Sequence, residues 1–202
     1  DVHSEKFFLD KENVSLLLDI ISFLYDLEMS SLYEKKGKME VEEDEEEDNE
    51  ADKEKEVKGV LPVKGLLDSI LRTVLLYIEF DFTHNKEKVL FDKQGHFTVV
   101  QIIKRVASKE RFEKFGMKED PEYISQFIQG IGKLIKKDIE GFLTTKGIFI
   151  VLCLFEDIVY SKLIRKELSD GKERLEKIAK EENLGKKSVA RILLDQLKEK
   201  NK

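Results

Sequence analysis

The chain has 202 residues, of which 39% are charged, with no Trp, two Pro, one Cys and a net charge of −6. That length suits one well-buried domain, or one domain with a small appendage, and the composition favours helices and loops over a many-stranded sandwich. A single Cys excludes an internal disulfide framework, and no hydrophobic leader with a basic flank opens the chain, so a cytoplasmic or nuclear setting is expected.

The net charge is unevenly spread. Glu40–Glu56 carries twelve acidic residues against two lysines, a local net of −10 that leaves the rest of the chain at +4. Residues 38–58 have almost no apolar side chain to bury and repel one another, which predicts a disordered acidic loop serving as a solvated spacer or as a dock for a basic partner.

Before that loop, residues 1–37 hold a small apolar knot at Phe7, Phe8 and Leu9 and then a first helix. Val14, Leu17, Leu18, Ile21, Leu24, Tyr25 and Leu32 recur at three- and four-residue steps, with Asn13 as N-cap and Gly37 as the stop. The apolar face is broad, so this helix must pack against another element.

Residues 59–170 read as the helical body. After the turn at Gly59–Pro62, Leu67, Ile70, Leu71, Val74 and Ile78 form a second amphipathic helix. Ile78–Phe82 then alternates strictly, and Asp92–Gly95 has turn composition, which allows a small β-hairpin near 78–100; a helix through Phe82 would equally keep Ile78 and Phe82 on the face of Val74. A further helix is expected from about Thr98 to Phe115. Asp120-Pro121-Glu122 signals another start, with Asp as cap and Pro at the first helical position. Gly130 and Gly132 inside that helix point to close approach by a neighbour.

The most apolar stretch of the chain is Ile148–Phe155. A helix here is hydrophobic all round and therefore central, and its continuation through Ile158, Val159 and Leu163 predicts one helix over about 146–168, capped by Thr144 or Thr145, with Gly171 as the stop that follows. About 20 apolar residues would be needed to span a membrane, and Glu156 and Asp157 interrupt after eight, so no membrane span is expected. Cys153 within this stretch reads as an inert buried thiol.

Catalytic, cofactor and metal signatures do not emerge. His3, His84 and His96 match no metal-binding spacing. The offsets of Asp81, Thr83, Asn85, Glu87 and Asp92 faintly follow a calcium loop, but Lys86 stands where Gly is needed. Gly130-Ile131-Gly132-Lys133 lacks the remaining residues of a phosphate loop. Glu156 and Asp157, leaving the apolar stretch, diverge by about 100° around a helix and do not form a facing pair. No catalytic residue, cofactor or metal ligand is therefore assigned.

The charged segment 171–202 reads as a helical hairpin. A first short helix ends near Asn183, and a second runs from Lys186 or Lys187 to Glu199. This resembles the helix-turn-helix motif of DNA-binding regulators, with Ala179 at the helix crossing, Asn183 in the tight turn and Leu184, Val189 and Ile192 on the buried side. The resemblance covers about twenty residues, has Asn183 where Gly is usual, and implies that Lys186, Lys187, Ser188 and Arg191 would face the major groove of double-stranded DNA.

The expected fold is thus all-α, a helical bundle around a buried central helix. The expected function is a non-enzymatic protein–protein interaction or scaffolding module, holding a protein partner through a helical groove or the acidic loop. A nucleic-acid-binding regulator using residues 175–199 is the alternative.

Overall fold

Asp10 begins the first helix. Its Oδ1 accepts from the backbone N–H groups of Glu12 (2.9 Å) and Asn13 (3.0 Å), so the cap lies three residues before the expected Asn13. Helix α1 spans Lys11–Glu42, passing through Gly37 and entering the segment expected to be a loop. One glycine costs a helix only about 1 kcal/mol, and Lys38, Met39 and Glu40 are good helix formers, so Gly37 does not stop it. The computed structural model describes residues 10–42, 65–107, 120–157, 160–180 and 184–199. The rest of the acidic segment, the Phe7–Leu9 knot, the Gly59–Pro62 turn, Phe112, Phe115 and Asn183 lie outside these residues.

Helix α2 spans Leu66–His84 and buries Leu67, Leu71, Val74, Ile78, Asp81 and Phe82. A 3₁₀ turn at Val89–Phe91 follows, then α3 at Lys93–Val106. The hairpin expected near 78–100 is therefore corrected: the alternating residues continue α2, because Ile78 and Phe82 keep the buried side that Val74 has set. Asp92–Gly95 is the start of α3 rather than a hairpin turn. The Asp92 carboxylate accepts from the N–H groups of Gln94 (2.6 Å) and Gly95 (3.2 Å), which sets the helix going five residues ahead of the expected Thr98.

Helix α4, Glu122–Lys137, has Pro121 in the cap position and no side-chain cap. Asp120, expected to cap it, instead accepts a hydrogen bond from the Tyr160 hydroxyl. Gly130 accounts for a close approach: a Cβ there would lie 2.6 Å from the Leu75 methyls of α2. Helix α5 is the short Ile139–Thr144, whose Gly141 N–H is capped by Asp138 at 2.9 Å.

Helix α6, Ile148–Glu156, is the central one. It packs against α3 and α5, and against two later helices, α7 at Ser161–Asp170 and α9 at Leu184–Glu199. Ile148, Ile150, Val151, Leu154 and Phe155 are fully buried, while Phe149, Leu152 and Cys153 are half-buried. Thr144 ends α5 and Gly147 holds the cap position of α6, while the Thr145 hydroxyl accepts from the Gly147 N–H at 3.2 Å just ahead of it.

The continuous helix expected over 146–168 is two helices. Asp157 takes an extended backbone (φ −76°, ψ 131°), its Oδ1 accepts from Tyr160 N–H at 2.9 Å, and its carbonyl accepts from Ser161 N–H at 3.0 Å. An Asp that bonds its own downstream backbone offers the chain an alternative to the next helical turn, and here that alternative ends α6 and opens the turn into α7. Gly171 closes α7 as expected, and α8 follows at Lys172–Ile178.

Among the described residues the protein is all-α, with nine α-helices, one 3₁₀ turn and no strand. α1 lies on α3 and α2, α2 on α4, and α4 on α7, while α8 joins α9 to α5 and α7. One apolar core runs from Val14 to Leu197 and includes Leu175, Ile178, Val189 and Leu193, so the C-terminal hairpin shares the core of the body.

Candidate functional site

Helix α1 carries two apolar faces. Val14, Leu18, Ile21, Leu24, Tyr25 and Met29 enter the core. Leu16, Ile20, Phe23 and Leu27 remain outside, at 61%, 39%, 66% and 42% exposure. Their steps of four, three and four residues confine them to an arc of about 60° on the side away from the core, the spacing of a helix-pairing seam. Solitary exposed apolar residues are ordinary; these four are large and contiguous on one side of a single helix.

One edge of this row is acidic. Glu12, Asp19 and Asp26 are exposed and recur every seven residues, one heptad apart along the same edge. Beyond them Arg105 of α3 reaches across to Ser22, its Nε donating to the hydroxyl at 3.0 Å, while its Nη1 donates to the Gln101 side-chain oxygen at 2.9 Å. None of the three carboxylates is in an ion pair among the described residues. The opposite edge is occupied by Leu17, half-buried, and Leu24, buried. The sequence shows this second stripe at the same helical steps as the first. Only the packing tells which of the two faces inward.

The predicted nucleic-acid residues do not form one surface. On α9 the buried side is Val189, Ala190, Leu193, Leu194 and Leu197, and Ile192, expected inside, is 41% exposed. This register turns Val189, Ala190 and Leu193 toward the body, where α9 packs on α6 and on α8, Lys172–Ile178. Lys186 lies on the inward side, and its ammonium donates to the Thr144 carbonyl of α5 at 2.6 Å. Ser188 and Arg191 are exposed and Lys187 is half-exposed, but Asp195, one turn beyond Arg191, shares their outward side.

Clefts lie elsewhere among the described residues. One of about 700 Å³ opens where α2 meets the 3₁₀ turn. Its polar groups serve the fold: buried Asp81 accepts from Val89 N–H (2.7 Å) and from the Asn85 amide (2.8 Å), and the Lys88 ammonium sits 3.9 Å from the Phe82 ring centre and 3.1 Å from Asp138. Of the calcium-like positions, Asp81 and Asp92 thus use their carboxylates on backbone N–H groups. A shallow groove of about 210 Å³ between α2 and α4 is lined by Leu71, Leu75, Leu76, Tyr123 and Phe127, and another of about 350 Å³ lies beside Glu140 and Arg174.

Glu156 is exposed at the end of α6, and Asp157 is spent on the helix break, so the two are not paired. Burial pushes the Cys153 thiol up to about 11, which leaves it neutral at ordinary pH. His84 stacks on Phe80 and His96 on Phe149. Among the described residues no three His, Cys, Asp or Glu side chains gather as a metal site, and no helix is long and apolar enough to cross a membrane. Comparison of the chain with protein-family models, with curated proteins and with solved structures finds no match.

Proposed function

We propose that this protein is a non-enzymatic interaction module whose outer α1 face takes up an amphipathic helix of another protein. The observation that carries this reading is the exposed row of Leu16, Ile20, Phe23 and Leu27, set opposite the six α1 side chains that enter the core. A helix laid along it would cover four large apolar side chains, each worth roughly 1–2 kcal/mol when removed from water. The face is held rigid by the core contacts on its reverse, so little ordering cost accompanies docking.

The test is binding of a synthetic amphipathic helix with an apolar seam and neutral Gln flanks, followed by fluorescence anisotropy. Phe23→Asp should abolish binding, and Leu76→Asp, at an exposed apolar position on α2, should leave it unchanged. Equal binding to both variants, or none to the intact chain, sinks the proposal.

The alternative, a nucleic-acid-binding regulator, draws on the two C-terminal helices and on Lys187, Ser188 and Arg191 at the surface of α9. Lys186, engaged by Thr144, is withdrawn from that reading, and Asp195 opposes it. A salt titration of binding to random double-stranded DNA decides: affinity that falls steeply with salt and is lost on reversing Lys187 and Arg191 to Glu supports it.

A further inference from the structure

We infer that the helix received by the outer face of α1 is a basic one, belonging to a different protein rather than to a second copy of this chain; this rests on the docking role proposed above. Leu16, Ile20, Phe23 and Leu27 occupy alternating seam positions of a heptad, and Glu12, Asp19 and Asp26 fall on the same flanking position in three successive heptads. The other flank is Leu17 and Leu24, already drawn toward the core. Charge on a docked helix therefore meets this surface along a single edge. That edge is uniformly negative.

A second copy is a poor occupant in either direction. If two α1 helices met antiparallel about a two-fold axis, equivalent flanks would face one another and set the three carboxylates of one copy beside those of the other. If they met parallel, each acidic edge would lie against the Leu17 and Leu24 edge of its mate, where those side chains already serve the core and carry no charge to meet the carboxylates. Arg105 of α3 reaches α1 at Ser22, and its guanidinium is held there by Ser22 and by Gln101. Lys or Arg at seven-residue intervals on a partner helix supplies what neither arrangement can.

The experiment uses the full chain and three synthetic helices that share one Leu/Ile seam and differ only at the flanking positions: Lys, Gln or Glu. At low salt the Lys-flanked helix should bind roughly tenfold tighter than the Gln-flanked one, with the Glu-flanked one weakest, and the spread should shrink as salt is added, as expected of exposed ion pairs. In the triple variant Glu12→Lys, Asp19→Lys, Asp26→Lys the order should reverse. Phe23→Asp, which retains every carboxylate of the chain, should lose the Lys-flanked helix; binding that persists there belongs to the acidic segment and overturns the inference. Equal affinity for the three helices, abolished by Phe23→Asp, overturns the charge preference while leaving the docking face in place. No binding of any helix overturns both. A concentration-dependent dimer in sedimentation equilibrium, removed by Phe23→Asp, assigns the face to a second copy and likewise overturns the inference.

Discussion

The Lys186 ammonium donates to the Thr144 carbonyl across 2.6 Å, fastening the first turn of α9 to the last residue of α5. A carbonyl at a helix C-terminus has no intrahelical partner, and a cation there also meets the negative end of the helix dipole. Lys186→Met, which keeps most of the stem and removes the charge, should cost about 1–2 kcal/mol in urea unfolding. Arg191→Met, on the exposed side of the same helix, should stay within about 0.5 kcal/mol of the parent. Equal effects would mean that the Lys186 contact contributes nothing to stability.

Gly95 in the first turn of α3 sits against the preceding 3₁₀ turn so closely that a Cβ would lie 2.8 Å from the carbonyl carbon of Val89 and closer still to its oxygen. Backbone cannot swing aside as a side-chain tip can. Gly95→Ala should therefore destabilise by about 3 kcal/mol or more, although Ala is the better helix former by about 1 kcal/mol. Gly132→Ala faces Leu163 at an ordinary 3.5 Å and should be neutral or stabilising. Thermal unfolding of the two variants compares them directly.

Burial raises the Asp120 carboxyl above the ordinary aspartate value of 3.8; the hydrogen bond from Tyr160 opposes this, and the charge of Asp157 adds to it. Between the unfolded and the raised folded value the native state holds more protons than the unfolded one, so stability falls as pH rises through that window. Asp120→Asn, which can still accept from Tyr160, should flatten this decline. Urea midpoints measured from pH 3.5 to 6.5 on both proteins provide the check, and parallel curves would remove Asp120 from the account.

The Cys153 thiol, pushed up to about 11 by burial, holds roughly a hundredfold less thiolate at pH 8 than an exposed cysteine. Its reaction with a disulfide reagent should be slower than that of a free thiol by at least that factor, and should reach the ordinary rate in denaturant. Fast native labelling would show that the helix α6 environment opens readily.

Much of the fold is legible in the sequence because helical periodicity records which residues share a side. The core positions Val14, Leu71, Ile102 and Ile131 all follow from that rule. The helix ends are less legible, and aspartate is the reason. Asp10, Asp92, Asp120 and Asp157 each have a carboxylate able to cap a helix, but Asp120 bonds Tyr160, forty residues away, and Asp157 breaks a helix that hydrophobicity alone would continue. The exposed row on α1 escaped for another reason. Leu16 and Leu17 are neighbours of equal hydrophobicity, and only contact with α2 and α3 decides which side of α1 is inside. Periodicity misplaced Ile192 on α9 in the same way: it is exposed, and Ala190 is buried.

The position of α6 in the chain has a bearing on how the protein is made. α3 is complete at residue 106, yet the helix that covers its inner side is not finished until residue 156. During synthesis at about 5–20 residues per second, that surface stays wet for several seconds after α3 leaves the ribosome. α9, which closes over α6 in turn, comes later still. The nascent chain therefore presents apolar surface inside the cell well before its core can close, and its yield should depend on chaperone capacity more steeply than the stability of the finished bundle would indicate.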